Sequence, residues 1–262
     1  MGLLDKLKLP EMNRGISLDD AAATVLHAEI LQSKGFLKRL YTDFYHILQE
    51  AVGPTEDKAI VELGSGGGFI KDLLPNAITS DILPLPSVDK VFSACQIPFE
   101  AQTLDAIVMI DVLHHIPDVR AFFRECVRCL KPGGRVAMIE PANTCWSRFV
   151  YARFHHEGFD PKAAWEFASE GPLSSANGAL PWIIFHRDRT IFEKEFPRLS
   201  ILYANAHTPL RYLLSGGFTL RQLVPSWSYP VIKGLEFLLS PLNSQIGLFQ
   251  TIILSKDGNT PG

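Results

Sequence analysis

Long apolar runs are missing from this chain: nowhere do about 18 apolar residues follow one another, so no segment reads as a membrane span. The stretch Met1–Lys8 alternates charge with leucine and lacks the apolar centre of a secretory signal. Cysteine is scarce, at four residues, and an extracellular disulfide framework is not expected. Cys126 and Cys129 form a Cys-x-x-Cys, but it falls inside a helical pattern with no second ligand pair, so buried thiols are the better reading. An excess of positive charge is absent too. With a net charge of −3, no global field would gather nucleic acid or an anionic membrane. Internal repeats and low-complexity tracts are lacking. These absences describe a cytoplasmic chain whose 262 residues, 47% of them apolar, can build a sizeable core without staples.

What is present begins with two helical patterns over residues 17–51. Ser17 followed by Asp20 resembles a capping box, and Ala23, Leu26 and Ile30 continue the first helix until Gly35 breaks it. Leu37, Leu40, Phe44 and Leu48 mark the second, and Gly53-Pro54 ends it. From there strand and helix alternate, the pattern of a parallel sheet with crossover helices. Strands are expected at 58–63, 77–81, 89–93, 105–110 and 135–140, with a short helix at 67–74 stopped by Pro75. Asp118 should cap a helix at 119–130. The unbroken apolar run Ala106–Ile110 suits a strand covered on both faces. After Pro141 the rhythm breaks. Helices are expected at 146–155, 161–168 and 230–240, and strands at 199–203 and 248–254.

The loop Glu62-Leu63-Gly64-Ser65-Gly66-Gly67-Gly68 joins the first strand to that short helix, and its glycines let backbone N–H groups approach a ligand closely. A phosphate-binding P-loop would need Lys-Ser or Lys-Thr after the last glycine, where Phe69-Ile70 stand. A dinucleotide fingerprint counted from Gly64 needs a small residue at 69, and counted from Gly66 it meets Lys71. Glu62 separates the cases further. A buried acid at a strand end is costly unless it meets a cation, and S-adenosylmethionine offers its α-ammonium group, whereas a pyrophosphate would be repelled. Asp81, seventeen residues beyond Gly64, is placed to accept both hydroxyls of an adenosine ribose; otherwise it is a turn residue before Pro84.

Residues 59–141 resemble the core of a class I S-adenosylmethionine-dependent methyltransferase of the "type 11" sort. Val61–Gly68 is similar to its first motif, Ser93-Ala94-Cys95-Gln96-Ile97-Pro98-Phe99 to its adenine-contact segment, and Leu104–Val108 to its fourth strand. Asp111-Val112-Leu113-His114-His115-Ile116-Pro117-Asp118 resembles the segment after that strand, and Leu130–Arg135 the turn into the fifth. Ser93 departs from the pattern, since the family commonly has an acid there to bond the adenine amino group. The resemblance implies a Rossmann-like α/β fold: a mostly parallel seven-stranded sheet, last strand antiparallel, helices on both faces, an N-terminal helical extension and helical, aromatic inserts. It implies S-adenosylmethionine bound by Glu62, Gly64, Ser65, Gly66, Gly68, Asp81, Ile82, Ser93, Ala94, Cys95 and Asp111. One structural domain is expected: helices at 1–55 over the cofactor site, the cofactor core at 56–141, a substrate cover at 142–198, and the closing strands at 199–262.

Methyl transfer from a sulfonium needs alignment and exclusion of water, and a base only where the nucleophile carries a proton. Asp111, His114 and His115 crowd one loop at the carboxyl edge of the sheet. His115, then His114, are the candidate general bases; no metal is assigned, although Asp-x-x-His-His is similar to the acid-x-x-acid-His of ubiquinone-pathway O-methyltransferases. Alternatively Asp111 bonds loop amides and the histidines pack or cap. Residues 142–198 carry Trp146, Phe149, Tyr151, Phe154, His155, His156, Phe159, Trp165, Trp182, Phe185 and His186 among Arg148, Arg153, Arg187 and Arg189. They either stack on a flat substrate and grip an anion, or form a small core with surface arginines. His155-His156 is a weaker base candidate. The helix at 230–240 is apolar around most of its circumference and should be buried against the sheet, at a dimer interface, or on a membrane.

The expected partner is a small-molecule methyl acceptor reacting at oxygen or nitrogen, with glycan- and lipid-linked metabolites among those allowed. No nucleic acid is expected, nor a transmembrane segment; peripheral membrane contact stays open, as do monomer and homodimer. The alternative is a methyltransferase-like binding protein without catalysis.

Overall fold

The computed structural model describes residues 7–10, 15–17, 19–154, 157–168, 171 and 173–258. His155 and His156 therefore lie outside the described residues. Seven strands form one sheet in the order β3-β2-β1-β4-β5-β7-β6. They are β1 (Ile60–Glu62), β2 (Ile78–Asp81), β3 (Lys90–Val91), β4 (Leu104–Ile110), β5 (Leu130–Pro141), β6 (Leu199–His207) and β7 (Phe249–Lys256). β1 to β5 run parallel, and β7 is antiparallel to both its neighbours. The strand order reverses between β1 and β4, and the crevice outside their carboxyl ends is where ligands of such sheets bind.

The apolar run of β4 is explained by its two faces. Ala106 and Val108 pack on one side with helix α2 (Gly35–Val52), through Phe36, Leu40, Phe44 and Leu48. Ile107 and Met109 pack on the other with Phe122 and Phe123 of helix α3 (Val119–Cys129). Cys126 and Cys129 belong to that second layer, and burial pushes both thiols up. Asp118 caps α3 as expected, accepting from the Ala121 N–H at 2.8 Å.

Several local expectations are corrected. The cap of helix α1 (Ala21–Ser33) is Asp20, which accepts from Ala22 N–H, and Ser17 lies outside it. The stretch 67–74 forms only a 3₁₀ turn at Ile70–Asp72, because between Gly68 and Pro75 the chain has no room for a nucleated α-helix. Residues 161–168 make turns rather than a helix. β3 is shorter than expected and β6 longer, since β6 pairs along its whole length with β7.

The largest correction concerns the apolar helix α4 (Tyr229–Leu238), which is not buried against the sheet. Its inward residues are Tyr229 and Glu236, while Val231, Leu235, Phe237 and Leu238 are exposed. Buried Arg211 holds it in place, bonding Glu236, the Tyr229 hydroxyl and Asp43 of α2. Polar contacts, together with Tyr229 against Phe36 and Ile232 against the core, thus fix the position of an apolar helix. Among the described residues no helix is long and apolar enough to cross a membrane.

Candidate active site

One cavity of about 710 Å³ opens at the switch point, and every residue assigned above to cofactor or catalysis lines it. The glycine loop forms its floor. Gly64 has φ +59°, and a Cβ there would come within 2.5 Å of Val112 Cγ2. At Gly67 a Cβ would fall 2.4 Å from Ala28 Cβ, so helix α1 lies directly on the loop. Thr24, His27 and Leu31 of that helix reach the cavity wall.

Glu62 is 2% exposed, and its Oε2 has no hydrogen-bond partner. Burial pushes its carboxyl up to about 7, although the hydroxyls of Ser65 and Tyr45 work the other way. An orphaned carboxylate oxygen beside glycine backbone is a seat for a cation. Asp81 accepts from Gly66 N–H at 3.0 Å and Leu83 N–H at 2.9 Å, so it closes a turn and faces the cavity at once. Burial raises its carboxyl as well. The Ser93 hydroxyl accepts from Cys95 N–H at 3.2 Å.

The segment after β4 is built from side chains. Asp111 sits at φ +56°, a strained conformation for a non-glycine residue and one common at functional sites. It accepts from the Tyr41 hydroxyl at 3.3 Å, and burial pushes its carboxyl up to about 7. The loop amides that the alternative reading gave to Asp111 are taken by another acid: Glu140 Oε1, at the end of β5, accepts from Val112 N–H at 2.9 Å and Leu113 N–H at 2.7 Å. Its Oε2 accepts from His114 Nδ1 at 2.7 Å.

The two histidines are unlike each other. His114 is 2% exposed with Nε2 3.3 Å from Glu157 Oε2. Burial alone would lower it, but the bonds to Glu140 and Glu157 hold it well above the ordinary histidine value, so it is an imidazolium clamped between carboxylates. His115 has Nδ1 3.3 Å from the Ser175 carbonyl, which can only accept, so the proton lies on Nδ1 and the Nε2 lone pair is free. Burial and the charge of His114 bring it down to about 4. Its Nε2 is 3.7 Å from Glu157 Oε1.

Sequence reasoning missed Glu140, Glu157, Tyr41, Tyr45 and Tyr212, all but Glu140 lining the cavity. An acid closing the apolar run of β5 is the one signal that could have found Glu140; Glu157 stands in no pattern. From 142–198, Tyr151 and Phe159 line the cavity, their rings stacked 5.2 Å apart. Trp165 and Phe185 instead belong to the core, and the arginines do not reach the cavity. Arg187 anchors the chain to Pro161 and Ala163 carbonyls, Arg153 lies over Phe149, and Arg189 pairs with Glu193. Among the described lining residues the charged side chains, histidines aside, are acids: Glu62, Asp81, Asp111 and Glu157.

This strand order and this site define a class I methyltransferase fold. Residues 61–138 match the family model described as a methyltransferase domain, so the core of the chain is such a domain. The ubiquinone biosynthesis O-methyltransferase of Xanthomonas oryzae pv. oryzae is 23% identical over 96 residues, 29% of this chain and 40% of that protein. The enzyme of the same name from Xanthomonas campestris pv. campestris is 22% identical over 161 residues, 47% of this chain and 67% of that one. The chain thus spans about two-fifths of the length of the first relative. A methyltransferase solved in complex with the Haloferax volcanii Trm112 methyltransferase activator superposes with TM-score 0.53 at 13% identity, over 94% of this chain and 100% of that one.

Proposed function

We propose that this chain is an S-adenosylmethionine-dependent methyltransferase that transfers a methyl group to an oxygen or nitrogen of an uncharged or cationic, largely apolar small molecule. The observation that carries the reading is the unpartnered Oε2 of Glu62, buried beside the glycine loop. The α-ammonium group of the cofactor satisfies it, the ribose hydroxyls suit Asp81, and the adenine fits between Ile82 and the Ser93–Cys95 turn. When bound, S-adenosylmethionine supplies an electrophilic methyl on a sulfonium. The acidic lining favours that cation and disfavours phosphorylated acceptors and nucleic acid.

His115 is the candidate base. With Nδ1–H held by the Ser175 carbonyl, its Nε2 accepts the acceptor's proton as the nucleophile attacks, and the nearby Glu157 carboxylate stabilises the resulting imidazolium. His114 and Glu140 position rather than react: together they fix the backbone of residues 111–115 and the place of Glu157. Tyr151, Phe159 and Phe218 exclude water from the reacting atoms.

Calorimetry with S-adenosylmethionine, S-adenosylhomocysteine and NAD tests the cofactor assignment. Binding of the first two and not the third is expected, and the reverse would overturn it. Binding without turnover of any hydroxyl or amine acceptor would favour a non-catalytic binding protein.

A second reading has its own observation. Ligand atoms of His114, His115 and Glu157 lie within 4.8 Å of one another, and both histidines have Nδ1 anchored, as metal-bound histidines commonly do. If a divalent cation sits there, chelation abolishes turnover and added metal restores it; in the base reading chelators leave turnover unchanged.

A further inference from the structure

Helix α4 is turned inside out. Its acid, Glu236, faces inward to Arg211, while Trp227 (73%), Phe237 (77%) and Leu238 (74%) stand in solvent beside Val231 and Leu242. Isolated exposed leucines are ordinary, but this many large apolar side chains exposed on one helix and the turns flanking it mark an interaction surface. The charges of the segment that carries it are one-sided. Glu236 is the only acid between Thr208 and Ile246, and it is buried. Asp43, packed against the helix, is engaged by Arg211, Lys233 and the Tyr229 hydroxyl. Arg221 is exposed in the same segment, and exposed Arg39 donates to the Ser226 carbonyl next to Trp227.

We infer that this face docks on an anionic lipid surface, α4 lying in the interface with Phe237 and Leu238 among the acyl chains and Arg39, Arg221 and Lys233 toward the headgroups. An apolar face with an interfacial tryptophan and cationic flanks is what such a surface selects. A second copy fits less well, because a two-fold contact would set the cationic rim against itself. The same 208–247 insert gives the cavity Leu213, Phe218 and Leu220, so docking brings the cavity wall to the leaflet. That last consequence, access for an acceptor dissolved in lipid, rests on the methyltransferase reading; the docking itself does not.

The test is flotation of the full chain with phosphatidylcholine vesicles, with and without phosphatidylglycerol, at low and high salt. Wild-type protein should float with the anionic vesicles, less at high salt, and Trp227 emission, isolated by subtraction of a Trp227→Phe variant, should shift to the blue. The double variant Phe237→Ser/Leu238→Ser should bind at least roughly tenfold more weakly, both side chains being lost from the apolar phase. Its melting temperature should match the wild type, since both residues are exposed. Absence of flotation, or equal flotation of the double variant, overturns the proposal. So does a dimer in light scattering that the double substitution dissociates without any vesicle binding. Cofactor calorimetry on the same samples reads the methyltransferase assignment separately, because flotation needs no cofactor.

Discussion

The two halves of the cavity are built by different means. The half proposed for the cofactor is lined between residues 62 and 95 by a strand end, a glycine loop and two tight turns, in which Asp81 and Ser93 bond backbone N–H groups. The half proposed for the acceptor gathers Tyr41, His114, His115, Glu157 and Tyr212 from segments spread over the chain, with Glu140 behind them and Asp111, expected to bind cofactor, bonded to Tyr41. In the first half side chains mostly bond nearby backbone, as Asp81 does with Gly66 and Leu83 N–H. In the second, side chains hold other side chains, and a single change unseats several. The clearest way to break the contrast is within the second half, where adjacent histidines differ.

His115→Ala should cut turnover by roughly 10²–10⁴-fold, the range for losing a general base, while the melting temperature moves little. His114→Ala should act on stability instead. It strips the fully buried Glu140 of its charged partner, a loss of about 3–5 kcal/mol, or roughly 6–15 °C in melting temperature. Equal stability losses in both variants would erase the proposed division of roles. Calorimetric melting and single-turnover kinetics, run on both, make the comparison.

Glu62→Gln probes the first half. Its unpartnered oxygen would lose the charge that attracts the ammonium group, and cofactor affinity should fall roughly 30–100-fold with the melting temperature nearly unchanged. The pH dependence sharpens this. Burial holds Glu62 at about 7 without a ligand, so the carboxylate is lost as pH falls through that value. A cationic ligand binds only the ionised form; affinity should therefore drop by up to about tenfold per pH unit on the acid side, with proton release on binding near neutrality. In Glu62→Gln the slope should flatten. Asp111, also near 7 through burial, would leave a shallower remainder. A slope unchanged by the substitution would remove Glu62 from cation recognition.

The same contrast governs what could be read in advance. Strands β1, β4 and β5 were legible because each holds a continuous apolar run, and the glycine loop because Glu62, Phe69 and Asp81 constrain it at short range. The acceptor half is long-range. Glu157 reaches His114 from 43 residues away, a pairing made by the fold and invisible to periodicity. The arginines of 142–198 allowed an anion grip by composition, yet Arg187 and Arg189 find carbonyls and neighbouring acids outside the cavity, and Arg153 lies over Phe149. For helix α4 apolar content left burial, a dimer interface and a membrane open; burial against the sheet is excluded because Arg211, Glu236, Asp43 and Tyr229 hold it by its polar residues.

The smallest effect tests how far the cofactor half can be rewritten one residue at a time. Ser93 uses its hydroxyl to accept from Cys95 N–H. Aspartate at this position can make the same turn bond with one carboxylate oxygen, as Asx turns do, and leaves the other free toward the cavity. There it can accept from the adenine amino group, the contact that related methyltransferases commonly make with an acid. Ser93→Asp should therefore raise S-adenosylhomocysteine affinity by roughly threefold to tenfold, a charge-assisted bond offset by added repulsion from the other cavity acids. Inosine-based cofactor analogues, which lack the amino group, should show no gain. If affinity falls for both, the turn cannot take the longer side chain, and the adenine lies elsewhere than against Ser93–Cys95.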